Sequence, residues 1–133
     1  MVRLFNKTIS LLNRHEKDSF SDEYYISKIQ NVCAQVYISS NNNATNSANV
    51  SRCSLFIKKG SLPKSYLEPK KWLDSNSKAS YLTFKDDDYV VIGDISETSI
   101  TNINTIYNKY DNVFKISSSS YFDILNSFQI KAV

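Results

Sequence analysis

The chain has 133 residues, with sixteen Lys and Arg against thirteen Asp and Glu, and a formal net charge of +3. That length makes a single domain, and charges so interspersed, with no run of Lys or Arg longer than two, imply neither nucleic-acid binding nor attachment to an anionic membrane by charge alone. No apolar run approaches the roughly 18 residues needed to span a bilayer, and a hydrophobic content of 41% with nine Tyr and seven Phe favours half-buried pleated surfaces.

In chain order, Thr8-Ile9-Ser10-Leu11-Leu12 predicts a first strand, and the charged cluster Arg14-His15-Glu16-Lys17-Asp18 an exposed turn after it. Glu23-Tyr24-Tyr25-Ile26 reads as a second, short strand. Val32, Ala34, Val36 and Ile38 alternate with Cys33, Gln35 and Tyr37, the period of a strand with one face in the core. From Ser39 to Asn49 there is no aliphatic side chain larger than Ala and no charge. Such a stretch buries too little area to offset its ordering entropy by itself, so residues 39–49 read as a long loop with Asn41, Asn42 and Asn43 at its tip. Alternation resumes from Val50 to Lys58. Cys33 and Cys53 lie inside apolar runs, and no signal-like stretch follows Met1. Two reduced, buried thiols are the expectation, with a cross-strand disulfide as the alternative.

Both prolines fall between Ser61 and Asn76. Each removes a backbone donor and biases its predecessor to extended geometry, so residues 61–76 read as a second long loop, anchored by Tyr66, Leu67, Trp72 and Leu73. Two apolar runs follow, Tyr81-Leu82-Thr83-Phe84 and Tyr89-Val90-Val91-Ile92, separated by Lys85-Asp86-Asp87-Asp88. They read as an antiparallel hairpin at the centre of the domain. After Gly93, Ser96 or Thr98 can cap a helix over 97–110, with Ile100, Ile103, Ile106 or Tyr107, and Tyr110 on one face. Val113-Phe114-Lys115-Ile116 is a strand, Ser117–Ser120 a flexible connection pinned by Tyr121 and Phe122, and Ser127–Val133 alternates to the last residue, with Phe128, Ile130 and Ala132 on one face. Seven or eight short strands with one late helix and two long loops make a mainly β fold, a small antiparallel barrel or sandwich.

Little in the chain carries chemistry. Calcium loops alternate their oxygens around a Gly and end on a distal Glu; Asp86-Asp87-Asp88 has neither, and reads as a solvated turn. His15 is the only histidine, sits in the charged cluster and reads as a surface residue. Lys58, Lys59, Lys70 and Lys71 flank the second loop with Tyr66 and Trp72 among them. Basic residues interleaved with aromatics can bind single-stranded nucleic acid, and solubilising charge beside core anchors gives the same pattern. Gly60 and Gly93 alone cannot build a phosphate cradle. No acid, base and nucleophile converge; the protein is expected not to be an enzyme and to need no cofactor or metal.

The run with Tyr66, Pro69 and Trp72, then Tyr81-Leu82-Thr83-Phe84, then Asp88-Tyr89-Val90-Val91-Ile92-Gly93, then Tyr110-Asp111-Asn112-Val113-Phe114-Lys115-Ile116-Ser117, resembles small head–tail connector proteins of tailed phages of Gram-positive bacteria. The resemblance covers residues 66–117. It implies a head-closure or connector subunit, a small β-barrel that forms a homo-oligomeric ring in the virion neck after assembly in the host cytoplasm. Such a ring would meet a portal or adaptor ring on the head side and tail proteins on the other, and pass DNA through its lumen without reading its sequence. A tail-terminator or tail-completion ring is the nearest alternative, and a single-strand-binding barrel the more distant one. Contacts between copies or with neighbours are expected at Asn41, Asn42, Asn43, Tyr66, Trp72, Asp86, Asp87 and Asp88, and exposed sheet edges could accept a strand from another chain.

Overall fold

The computed structural model describes residues 4–17, 22–43 and 46–133, with 38–43 and 46–50 described by their backbone. Strands run over Lys7–Glu16 (β1), Asp22–Asn43 (β2), Asn46–Lys58 (β3), Ser65–Tyr66 (β4), Tyr81–Leu82 (β5), Tyr89–Ile92 (β6), Val113–Phe122 (β7) and Ser127–Ala132 (β8); the helices are Pro69–Asp74 (α1) and Ile103–Lys109 (α2). The fold is mainly β, as expected, and six strands close a barrel in the order β1-β2-β3-β8-β7-β6. Every ladder in it is antiparallel.

Alternation decides what fills the barrel. Ile9 and Leu11 of β1, Cys53, Leu55 and Ile57 of β3, Val90 of β6, Phe114 and Ile116 of β7, and Phe128, Ile130 and Ala132 of β8 point inward and form one core. A second layer lies outside the β1–β6 half. There Leu12 and Val91 pack against Ile95, Ile100 and Ile106, with Ile103 of α2 and Tyr110 just after it at the margin. These strands are therefore buried on both faces, which is why Leu11-Leu12 and Tyr89-Val90-Val91-Ile92 run apolar without alternating.

Several expectations give way to longer strands. The two segments Glu23–Ile26 and Val32–Ile38 are one strand, β2. Its pairing with β1 slips between Ile9↔Ile29 and Lys7↔Val32, so β2 carries one extra residue there. Asn31 takes a left-handed backbone at φ 59°, and the resulting bulge bends β2 from one half of the barrel to the other. Ser117–Ser120, expected to be a flexible connection, continues β7 beside β8, with Ser117 bulged between Ile116↔Ala132 and Ser118↔Lys131. The charged cluster after the first strand continues β1 through Glu16, paired with Asp22.

The first long loop, 39–49, is also a ladder: Ser39↔Val50, Ser40↔Asn49, Asn41↔Ala48, Asn42↔Ser47 and Asn43↔Asn46 extend the β2–β3 pairing without a register shift. Asn41, Asn42 and Asn43 are strand residues, and the turn itself lies outside the described residues. The second long loop, 61–76, holds β4 and α1, because Pro69 opens a helical turn where its missing N–H costs nothing. The expected hairpin does not form. β5 pairs parallel with β4, through Ser65↔Tyr81 and Tyr66↔Leu82, while β6 pairs with β1 and β7. Phe84 enters the barrel core, and a turn over Lys85–Asp88 with Asp87 at φ 72° delivers β6 to β1 instead of back to β5.

The late helix spans Ile103–Lys109, shorter than the expected 97–110, and its cap is Asn102, whose side chain accepts from the Asn104 N–H at 3.0 Å. Ser96 and Glu97 are tied to the far end of that helix instead. The Ser96 N–H donates to the Tyr110 hydroxyl at 3.0 Å, and Glu97 accepts from Lys109 Nζ at 2.6 Å. Both cysteines are free and buried. Cys33 sits opposite Phe56 and Cys53 opposite Val36, so they point to opposite faces of the sheet and cannot bridge.

Candidate functional site

One end of the barrel gathers five of the residues expected to touch partners. Trp72, carried by α1, is fully buried, with its ring edge-on to Tyr25 at 5.7 Å and to His15 at 6.4 Å. Lys85 Nζ sits 5.3 Å from its centroid. His15 is accordingly half-buried, not the free surface residue its charged neighbourhood suggested. Tyr66 stacks on Phe84 at 5.8 Å and meets Phe128 at 4.7 Å. Burial holds its phenol above the ordinary range. Trp72 and Tyr66 thus close this end of the barrel; Trp72 is fully buried, while Tyr66 is half-buried and lines a surface pocket with Lys59, Pro63 and Lys64.

The Asp86-Asp87-Asp88 run splits three ways. Asp88 is fully buried. Its carboxylate accepts from the Arg14 N–H at 2.9 Å, the Asn13 amide at 2.8 Å and the Lys85 N–H at 3.1 Å, and it pairs with the Lys85 ammonium. Burial pushes its carboxyl up, against the pull of Lys85, Arg14 and Asn13. The solvated-turn expectation fails for this residue because β1 supplies the donors from the opposite end of the sequence. Asp87 pairs with Lys115 at 2.9 Å, and that ammonium holds its carboxyl below the ordinary range. Asp86 is exposed. This end of the barrel is a structural closure, and only Asp86 of the run faces outward free of an ion pair among the described residues.

The opposite half presents two features that can meet another molecule. The first is the β2–β3 arm. β1 leaves β2 at Val32, and β8 leaves β3 at Cys53, so beyond those points, among the described residues, the two strands pair with each other alone. Val36 and Tyr37 at its root are exposed. The second is the outer face of the β2–β3–β8–β7 half, which α2 does not cover. Across it run the rows Gln35–Ser54–Lys131–Ser118 and Cys33–Phe56–Gln129–Ser120. A groove of about 390 Å³ near the arm's root is lined by Tyr37, Arg52, Ser54, Ser117 and Lys131. The sequence reading missed Arg52 and Lys131, although one signal was present: no Asp or Glu occurs from residue 24 to residue 67.

The chain belongs to a family of unknown function (DUF6751), whose model matches residues 4–132. No curated protein and no solved structure matches it. Among the described residues no helix is long and apolar enough to cross a membrane.

Proposed function

We propose that this family member is a structural subunit of a phage head–tail joint, a head-closure or connector ring through which DNA passes. The resemblance over residues 66–117 supplies the class. The observation that carries the reading is the β2–β3 arm. A two-stranded hairpin alone in water is marginal, and natural sheet edges are blunted with Lys, Pro, bulges or covering elements. Residues 34–51 contain no charged side chain and no Pro, the ladder runs without a bulge, and among the described residues no third strand pairs with it. An edge kept open over that length is suited to take up a strand or a side of another subunit. Repeated head-to-tail contacts of one kind close into a ring when the rotation permits.

The single-strand-binding alternative needs Tyr66 and Trp72 free to stack on bases; Trp72 is buried and Tyr66 is packed on two Phe rings. Within the ring class, the diameter of the ring and its neighbours separate head closure from tail termination. Light scattering and negative-stain imaging of the purified protein are expected to reveal closed rings, and an antibody against it to label the particle neck. A protein that stays monomeric at high concentration and labels no neck overturns the proposal.

A further inference from the structure

We propose that the outer face of the β2–β3–β8–β7 half is a binding surface for the phosphate backbone of duplex DNA, with Arg52, Lys58, Lys59 and Lys131 as its phosphate contacts. The inference rests on the ring reading for the identity of the polyanion, and assigns this face to the channel.

Charge on this chain is segregated. Twelve of the thirteen carboxylates fall in residues 16–23 and 68–111; Asp123 is the exception. The ion pairs follow them. Arg14 pairs with Asp22 and Asp87, Lys17 with Glu23, Lys28 with Asp94, Lys85 with Asp88, Lys109 with Glu97 and Lys115 with Asp87. Arg52, Lys58, Lys59 and Lys131 are exposed and have no carboxylate partner among the described residues. Lys58 lies over the Phe5 ring at 4.4 Å and Lys59 over the Tyr121 ring at 5.8 Å, contacts that orient an ammonium without neutralising it. A net +3 therefore conceals a carboxylate-poor face carrying unneutralised cations.

The placement of those cations suits a charged rod. Arg52 and Lys131 stand together at the groove near the arm's root. Lys58 and Lys59 stand at the other end of β3, about 20 Å away at roughly 3.4 Å per residue. Between them the face presents the hydroxyls and amides of Ser54, Ser118, Ser120 and Gln129, groups that donate to phosphate oxygens, and beside Lys58 an apolar groove lined by Phe5, Phe56, Phe122 and Leu125. Duplex DNA offers one negative charge per roughly 1.7 Å of axis, a density an ordinary protein surface does not reach. A second copy of this chain is the poorer partner, because six of its twelve clustered carboxylates are already in ion pairs.

The test is fluorescence anisotropy of a short labelled duplex with the full-length protein across a salt series. Light scattering on the same samples reads the assembly state, so loss of the ring and loss of the face are seen separately. Four phosphate contacts per subunit give a log–log salt slope of about −3.6 for the isolated chain. The reversals Arg52→Glu and Lys131→Glu are each expected to flatten the slope by about 1 and together to abolish binding. Lys70→Glu with Lys71→Glu, on the carboxylate-rich half, is expected to bind as wild type does. Circular dichroism confirms that each variant is folded. No binding at low salt overturns the proposal, as does equal binding by the Arg52/Lys131 reversal. Tighter binding to oligo(dT) than to duplex also overturns it. So does self-association lost in that reversal with no DNA binding, which would assign the face to a neighbouring subunit.

Discussion

The Asp88 carboxylate has no contact with solvent and is held by two backbone N–H groups, the Asn13 amide and the Lys85 ammonium. Removing it leaves a nearly buried ammonium without a counter-charge and strips the acceptor from the Arg14 N–H. Asp88→Ala is expected to cost about 3–5 kcal/mol, as breaking one side of a buried pair does, measured by urea denaturation. A loss no larger than that of Asp86→Ala would mean that the network contributes nothing. The pH dependence has a definite sign. Burial raises the folded-state pKa above the ordinary 3.8, so folding takes up a proton between the two values. The contribution of Asp88 to stability then falls as pH rises through that window. Relative to Asp88→Asn, the wild type is expected to gain stability on acidification through it; a difference that is flat or opposite in sign refutes the assignment. Nothing in three consecutive aspartates marks the third as buried, because its partners on β1 lie 74 and 75 residues away. Cys53 was easier to read: an apolar run implied burial, and burial holds its thiol at about 12.

Strands were legible in the sequence where one face packs and the other does not. Residues 32–38, 50–58 and 127–133 alternate, and they are strands. Ser117–Ser120 and Ser39–Asn49 do not alternate, because pairing there is set by the neighbouring strand's backbone and leaves no apolar imprint. The bulge at Asn31 was invisible for a related reason: one residue of left-handed backbone joined what read as two strands. That conformation costs a side chain with a branched Cβ roughly 1–2 kcal/mol, while Asn tolerates it and Gly adopts it freely. Asn31→Val is expected to lose about that much stability and Asn31→Gly to stay close to wild type, read from denaturation midpoints. Equal losses from both would show that β2 does not need a left-handed residue to turn the corner. The shortened helix α2 has a similar origin. Its apolar period was correct from Ile103 onward, but Ser96 and Glu97 bond to Tyr110 and Lys109, which draws the preceding segment alongside the helix instead of into it.

Closure of six strands removes the lateral edges of the barrel, which is the usual remedy for edge-to-edge association. The β2–β3 arm undoes that remedy over its own length, so the proposed function assigns stability and assembly to different parts of one chain. The described residues of 39–50 pair neither with β8 nor with β1. Replacing residues 39–50 by Asn-Gly joins Ile38 to Ser51, which already face each other, through the two-residue turn that antiparallel strands favour. The truncated protein is expected to keep its unfolding free energy to within about 0.5 kcal/mol, as for changes away from the core, and to sediment as a monomer. If it still closes into rings, the arm is not the joint and the intersubunit contact lies on the barrel wall. If it fails to fold, the arm belongs to the cooperative core, and an open edge can no longer be read as a surface kept for another subunit.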